Sequence, residues 1–452
     1  MLLSMSFCRR AVLVVAAAAI AGCGSASLRA PDGGTTDSAA GNGGHAEAAA
    51  GGQAGKATGG QGGAAGGGAP VDGGVDRGFP CTDTTADPHN CGACGHDCLG
   101  GTCTTSICQP FVLGTTSEDY TVDGLELSQG KVYAVVETSY TDPTSSIRLL
   151  DVWQADADTP GTPVKVVAEP AAMIDSPPCV MGGALFWAEG NSTPGSILTC
   201  TLSSCASTSK PIVTGINSFV ENGPYCDQAQ NQIVWVETDV NGYSDTVYRA
   251  PPTGANPQSI TSWQTLKPTG STNYDWEVAP STVYSSGNPD RIYYTLTDYT
   301  AKTGTLYYIS TVSPDTTGVP LVTLPGVFDA WVLASETTAV FSMFPSGNDS
   351  GPEGAWAAPL PNGVVSGAPP VFNPGGGAAG VVDATTFYGL IWGSSTIPVD
   401  AYFKCALPTC LNPVIIARGQ SNASNFVQDP TAVYWVTTSQ TMAGFTIWKA
   451  AK

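Results

Sequence analysis

The chain comprises 452 residues with 37 acidic and 17 basic side chains, a formal net charge of −20. Nucleic acid is excluded as a partner on that balance, because a phosphate backbone calls for a basic surface. Charged residues are only 12% of the chain and Ser, Thr, Asn and Gln are abundant, which suits a β-rich exported protein solvated by neutral polar groups.

In chain order, Arg9 and Arg10 precede an apolar run from Ala11 to Ala21. That run is too short to remain as a membrane span and reads as a signal peptide over residues 1–22. It closes with Ile20-Ala21-Gly22-Cys23, which resembles the lipobox of bacterial lipoproteins. The resemblance implies lipidation of Cys23, which becomes the mature N-terminus and the point of membrane attachment. Gly24 and Ser25 follow with no Asp after the cysteine, and the sorting rule of such lipoproteins then implies the outer membrane; exposure at the cell surface is the expectation, with the periplasmic face as the alternative. Removal of residues 1–22 takes away two arginines and no acid, leaving 15 basic against 37 acidic residues, a net −22. No later apolar run is long enough to cross a membrane as a helix.

Residues 23–80 are dominated by Gly and Ala, with no aromatic before Phe79. Such a stretch cannot bury a core and is expected to be a disordered, flexible tether. Its root-mean-square reach is on the order of 40 Å.

Residues 81–109 hold Cys81, Cys91, Cys94, Cys98, Cys103 and Cys108. Six cysteines in so short a stretch of an exported chain predict a mini-module with three disulfides, of which fifteen connectivities are open. Zinc is the competing reading, since Cys91 and Cys94 have ligand spacing beside His96. The phrase Asn90-Cys91-Gly92-Ala93-Cys94-Gly95-His96-Asp97-Cys98 resembles the Cys-rich modules of predicted myxobacterial surface lipoproteins, a likeness that speaks of location more than of activity.

From residue 110 to 452 the chain repeats itself. The strand-like phrases Val132-Tyr133-Ala134-Val135, Leu185-Phe186-Trp187-Ala188, Ile233-Val234-Trp235-Val236, Ile292-Tyr293-Tyr294-Thr295, Val340-Phe341-Ser342-Met343, Phe387-Tyr388-Gly389-Leu390 and Val433-Tyr434-Trp435-Val436 recur 46 to 59 residues apart. Four short strands per repeat, rich in Val, Ile, Tyr and Trp and parted by Gly, Pro and Ser turns, predict an all-β fold, a seven-bladed β-propeller. The seventh repeat stops after its third strand, while Pro110-Phe111-Val112-Leu113-Gly114 has the form of an outer strand ahead of the first repeat. An N-terminal strand is therefore expected to close the last blade, as ring closure requires.

Within the repeats, Cys200 with Cys205 and Cys405 with Cys410 occupy turn positions and are expected to staple hairpins, while Cys179 and Cys226 precede successive strand phrases and are placed to bridge neighbouring blades. The recurrent Trp187, Trp235, Tyr294 and Trp435 are expected to pack between blades.

The only histidines are His45, His89 and His96, so histidine triads and histidine general bases are excluded from the repeat region. Glu137, Glu189, Glu237 and Asp298 fall just beyond the second strand of the first four repeats and are candidates for an acidic arc, with solvated loop ends as the bland alternative. Asp239, Asn241 and Asp245 add oxygens that resemble a calcium loop only loosely, since the bidentate Glu is absent. No catalytic residue and no resident cofactor is assigned, calcium being the one ion left open. The expected function is that of a monomeric, non-enzymatic binding or scaffold protein at the cell surface, for a protein or glycan ligand. The alternatives are a propeller hydrolase or lyase acting on extracellular carbohydrate, and a periplasmic envelope-assembly scaffold.

Overall fold

The computed structural model describes residues 83–452 except 118–120, 139–146, 173–177, 190–194, 217–218, 229, 239–244, 263–273, 280–290, 299–302, 311–317, 326–327, 336, 346–353, 361–377, 392–399, 421 and 439–443. The signal peptide, Cys23, the tether and Cys81 lie outside the described residues. The chain divides between Pro80 and Cys81, and the Cys-rich module belongs to the same unit as the repeats.

Module strands β1 (Cys103–Thr104) and β2 (Ile107–Cys108) form a two-stranded sheet. Strand β3 (Phe111–Thr115) follows. The first blade comprises β4 (Thr121–Ser128), β5 (Lys131–Thr138), β6 (Ile147–Asp156) and β7 (Val164–Ala172). The second comprises β8 (Cys179–Met181), β9 (Ala184–Glu189), β10 (Gly195–Thr201) and β11 (Lys210–Ile216). The third comprises β12 (Phe219–Asp227), β13 (Gln232–Thr238), β14 (Asp245–Ala250) and β15 (Gln258–Ser262). The fourth comprises β16 (Tyr274–Ala279), β17 (Arg291–Asp298), β18 (Thr303–Ser310) and β19 (Val319–Pro325).

The fifth repeat supplies a three-stranded sheet of β20 (Phe328–Ala334), β21 (Thr338–Pro345) and β22 (Gly354–Pro359). The next blade has β23 (Ala378–Val382), β24 (Thr386–Ile391), β25 (Tyr402–Ala406) and β26 (Val414–Ala417). The last has β27 (Ala423–Gln428), β28 (Ala432–Thr438) and β29 (Phe445–Ala451), with β3 as its outer strand.

Radially repeated antiparallel sheets in this order make a β-propeller. The expected strand closure is present: β3 pairs with β29, Phe111 opposite Lys449 and Thr115 opposite Thr446. The expectation of seven blades is corrected: among the described residues six blades are complete with four strands. The fourth strand of the fifth repeat would fall in 361–377, outside the described residues, and that stretch carries four prolines, which have no N–H to give to a ladder.

Each sheet has two ends. The turns from inner to second strand and from third to outer strand share one, here the turn end; the second-to-third connections share the other, the loop end. Strand alternation sends successive side chains of one strand into the two neighbouring wedges. On β28, Val433 and Trp435 join the cluster shared with the preceding blade, while Ala432, Tyr434 and Val436 join the one shared with the first blade. Trp187, Trp235 and Trp435 are fully buried in such wedges, as expected of core aromatics; the side chain of Tyr294 lies outside the described ones.

The structure also corrects the register of the fifth repeat by one residue. Ala339 pairs with Ala358 and Phe341 with Trp356, just as Val433 pairs with Ala450 and Trp435 with Trp448. The repeated phrase therefore begins at Ala339, not Val340. Its frame is set by a turn that the bulky residues conceal. Ser335 Oγ accepts the amides of Thr337 and Thr338, at 3.4 and 3.1 Å; Asp383 Oδ1 accepts those of Thr385 and Thr386, at 3.0 and 2.8 Å; Asp429 Oδ1 accepts those of Thr431 and Ala432, both at 2.7 Å. In all three the phrase starts four residues after the capping oxygen, a side-chain mimic of a backbone turn.

The position opposite the first residue of the phrase is small or compact in six repeats, as Ala155, Cys200, Ala250, Ala358, Cys405 and Ala450, and is Ile309 in the fourth. Its half-cystines form the expected hairpin staples Cys200–Cys205 and Cys405–Cys410, and Cys179–Cys226 joins the second blade to the third. In the module the bridges are Cys91–Cys103 and Cys98–Cys108, and Cys94 is also disulfide-bonded.

Candidate functional site

All the acidic candidates whose backbone is described stand at the loop end. Glu189 ends β9, Glu237 is next to last in β13, Asp298 ends β17, Glu137 is next to last in β5 and Asp245 opens β14. Asp239 and Asn241 lie outside the described residues, as do the side chains of Glu137, Asp245 and Asp298. The structure thus gathers five of the seven positions on one end of the propeller and gives side-chain geometry for Glu189 and Glu237.

Those two carboxylates have a structural partner. The indole N–H of Trp187 donates to Glu189 Oε1 at 3.4 Å, and that of Trp235 to Glu237 Oε1 at 2.8 Å. Residues i and i+2 of a strand share a face, and a buried indole needs an acceptor. A Trp-x-Glu phrase ending a strand is the sequence signal for this pair. The signal is hidden when acids and aromatics are taken as separate sets. Where the +2 residue is Thr437, Trp435 donates instead to Gln420 Oε1 at 3.0 Å, and Thr437 Oγ1 accepts the indole of Trp448. Glu137 comes three residues after Ala134, which holds the tryptophan position of the first blade, and so has a different offset.

Glu237 also sits in an aromatic corner. Tyr248 stacks on Trp235 with ring centroids 5.6 Å apart and planes 15° from parallel. Burial first, and then the negative charge of Glu237, push the Tyr248 hydroxyl pKa up. The second and third blades thus present adjacent acid-and-aromatic corners at the loop end, joined behind by Cys179–Cys226. Partly exposed carboxylates, one of them beside the half-buried ring of Tyr248, suit a ligand with hydroxyl or ammonium donors.

Sequence reading missed a buried acid in the first blade. Glu126 is 7% exposed on the inner strand β4, opposite Tyr133. The matching residues of the other repeats are Cys179, Tyr225, Ala279, Leu333, Val381 and Val427, all apolar or aromatic. Burial raises the Glu126 carboxyl well above the usual carboxylate range. The unfolded chain then loses this proton first, from about pH 4 upward. Stability contributed at this site falls as pH rises from there towards the raised folded-state value, and is level beyond it. Glu126→Leu is expected to raise stability at pH 7 by about 1–3 kcal/mol and to flatten the melting temperature between pH 4 and 8. A variant that melts lower than wild type at pH 7 would show that the carboxyl is held by a favourable interaction.

In the module, the sulfurs of Cys91, Cys98 and Cys108 lie within 4.8 Å of one another. Each is committed to a disulfide, so these three offer no thiolate to zinc.

No family model matches the chain, and no curated protein matches it. Among solved structures, the β-propeller domain of the Trilobed protease from Pyrococcus furiosus is 10% identical over 74% of this chain and 98% of that one, with a TM-score of 0.44. Acylaminoacyl peptidase from Pyrococcus horikoshii is 10% identical with a TM-score of 0.44, and the match covers 74% of this chain and 52% of that one, so the chain spans about half the length of that enzyme. TolB from Acinetobacter baumannii is 10% identical over 72% of this chain and 64% of that one, with a TM-score of 0.37. The chain's own sheet order makes it a β-propeller.

Proposed function

We propose that this chain is a lipid-anchored, extracytoplasmic recognition protein that binds glycan at the loop end of its second and third blades, without catalysing a reaction on it. The observation that carries the reading is the pair of adjacent acid-and-aromatic corners, Trp187 with Glu189 and Trp235 with Glu237 and Tyr248. Carboxylates there accept from hydroxyl donors, and the half-buried ring of Tyr248 offers an apolar ledge for a sugar face, with the two tryptophans buried behind. Half-cystines spread through module and blades support an oxidising compartment, in keeping with the signal peptide and lipobox read from residues 1–23. Attachment through the lipid on Cys23 at the outer membrane, facing outward, completes the proposal.

Glycan-array binding by the purified chain, with divalent cations present and then chelated, tests it. Ala would strand the indole N–H groups, so the informative variant is Glu189→Gln with Glu237→Gln, which keeps a carbonyl acceptor and removes the charge. The expected result is at least a tenfold loss of glycan affinity at an unchanged melting temperature. Wild-type affinity in this variant would reduce both acids to indole acceptors. Release of reducing sugar by the wild-type chain would replace the reading with a carbohydrate hydrolase or lyase.

A further inference from the structure

We propose that the Cys-rich module is the clasp of the propeller: it takes the place of the third-to-outer turn that the last blade lacks, and its partner is the ring's own seam. In the other complete blades a covalent turn joins these strands, and two of those turns carry their own staples, Cys200–Cys205 and Cys405–Cys410. In the last blade the third strand, β29, ends at Ala451 and the outer strand, β3, begins at Phe111. No peptide bond joins the two strands at that turn end.

The module fills this place and touches both strand ends. His96 Nε2 lies 2.9 Å from the carbonyl oxygen of Lys452, while its Nδ1 faces the Cys91 carbonyl inside the module. Ala451 is buried among Cys91, Cys98, Cys103 and Cys108. Leu99 packs both on that cluster and on the apolar wedge between the last and first blades, and Ile107 packs on the wedge between the last blade and the one before it. On the other strand, Phe111 lays its ring over Gly100, where an added Cβ would stand 3.2 Å from it and where φ is +104°. The bridges Cys91–Cys103 and Cys98–Cys108 keep these contacts on one rigid piece, as a hairpin staple does within a chain turn. The short strand β3 is thus held from two sides, by the ladder to β29 and by the module that leads into it.

Hydrogen exchange read by mass spectrometry on the full chain tests the clasp. His96→Ala keeps every disulfide, and Cys98→Ser with Cys108→Ser opens one bridge of the module. Both are expected to speed exchange over Phe111–Thr115 and Thr446–Lys449 at least tenfold, with β12 to β15 unchanged. The control, Cys200→Ser with Cys205→Ser, should leave β3 at its wild-type rate. The proposal is overturned if residues 91–108 lose protection while β3 keeps its wild-type rate, because the module would then be a passenger. Should the double serine variant fail to fold, His96→Ala alone decides.

Discussion

Trp435→Ala is expected to destabilise the propeller by about 4 kcal/mol, seen as a lower urea midpoint at an unchanged slope. Trp435 is fully buried and central to a stack: Tyr402 lies 4.3 Å away between centroids, Phe426 6.1 Å and Trp448 6.3 Å. Truncation empties that slot, and strands fixed by ladders on both sides cannot collapse into it. It also takes the indole donor from Gln420, itself buried. Trp435→Phe separates the two effects. It keeps most of the ring contact and removes the donor, for an expected loss of about 1–3 kcal/mol. A cost below about 1 kcal/mol for Trp435→Ala would mean that the ring wedges tolerate voids unlike an ordinary close-packed core.

Lys449→Ala should cost about 2–3 kcal/mol, chiefly by loosening the seam between the last and first blades. Its stem is buried, and Nζ lies 2.8 Å from the Ala157 carbonyl oxygen, 3.1 Å from Asp158 Oδ1 and 5.5 Å from the Tyr434 ring centroid. Ala157 and Asp158 belong to the first blade's turn, so one side chain of the last blade reaches across the closure. Asn425 does the same at the inner strands, donating to the Val122 carbonyl at 2.8 Å. Asp158 is largely exposed, and an exposed partner contributes little. Asp158→Asn is accordingly expected to stay within about 0.5 kcal/mol of wild type. A loss as large as that of Lys449→Ala would assign the seam to the ion pair instead of to the carbonyl bond and the packing.

Much of this architecture was legible because propeller strands are short, β-branched and aromatic, and recur. Val433 to Val436 and Ile233 to Val236 announce themselves as the same strand, and the half-cystines in matching turns pair as their positions suggest. The offset between Lys452 and Phe111 carried the ring closure. Legibility failed where physics uses small or polar residues. Ala339 went unseen as the start of its phrase because hydrophobic matching prefers Val340 and Phe341. The capping oxygens that set the frame, Ser335, Asp383 and Asp429, differ in residue type and look like ordinary loop polarity. At the candidate site, acids and tryptophans each recur in the sequence, but their mutual hydrogen bonds depend on two-residue spacing along one strand face. Glu126 left no trace in the sequence, since an acid in an inner strand is anomalous only beside its six counterparts in register.

The third-strand position that is alanine or half-cystine in six of the seven repeats has an evolutionary consequence. Alanine and half-cystine are near enough in bulk that either fits beneath the facing residue, so a blade can acquire a covalent staple by changing this site and one turn residue. Crosslinking is therefore modular in this ring: a blade with alanine here and a third-to-outer turn can be hardened or relaxed separately, leaving its neighbours' packing and the loop surface untouched. The second blade and the last but one have taken that option. Ala155 and Ala250 mark where others could follow, which makes them the natural sites for engineered bridges.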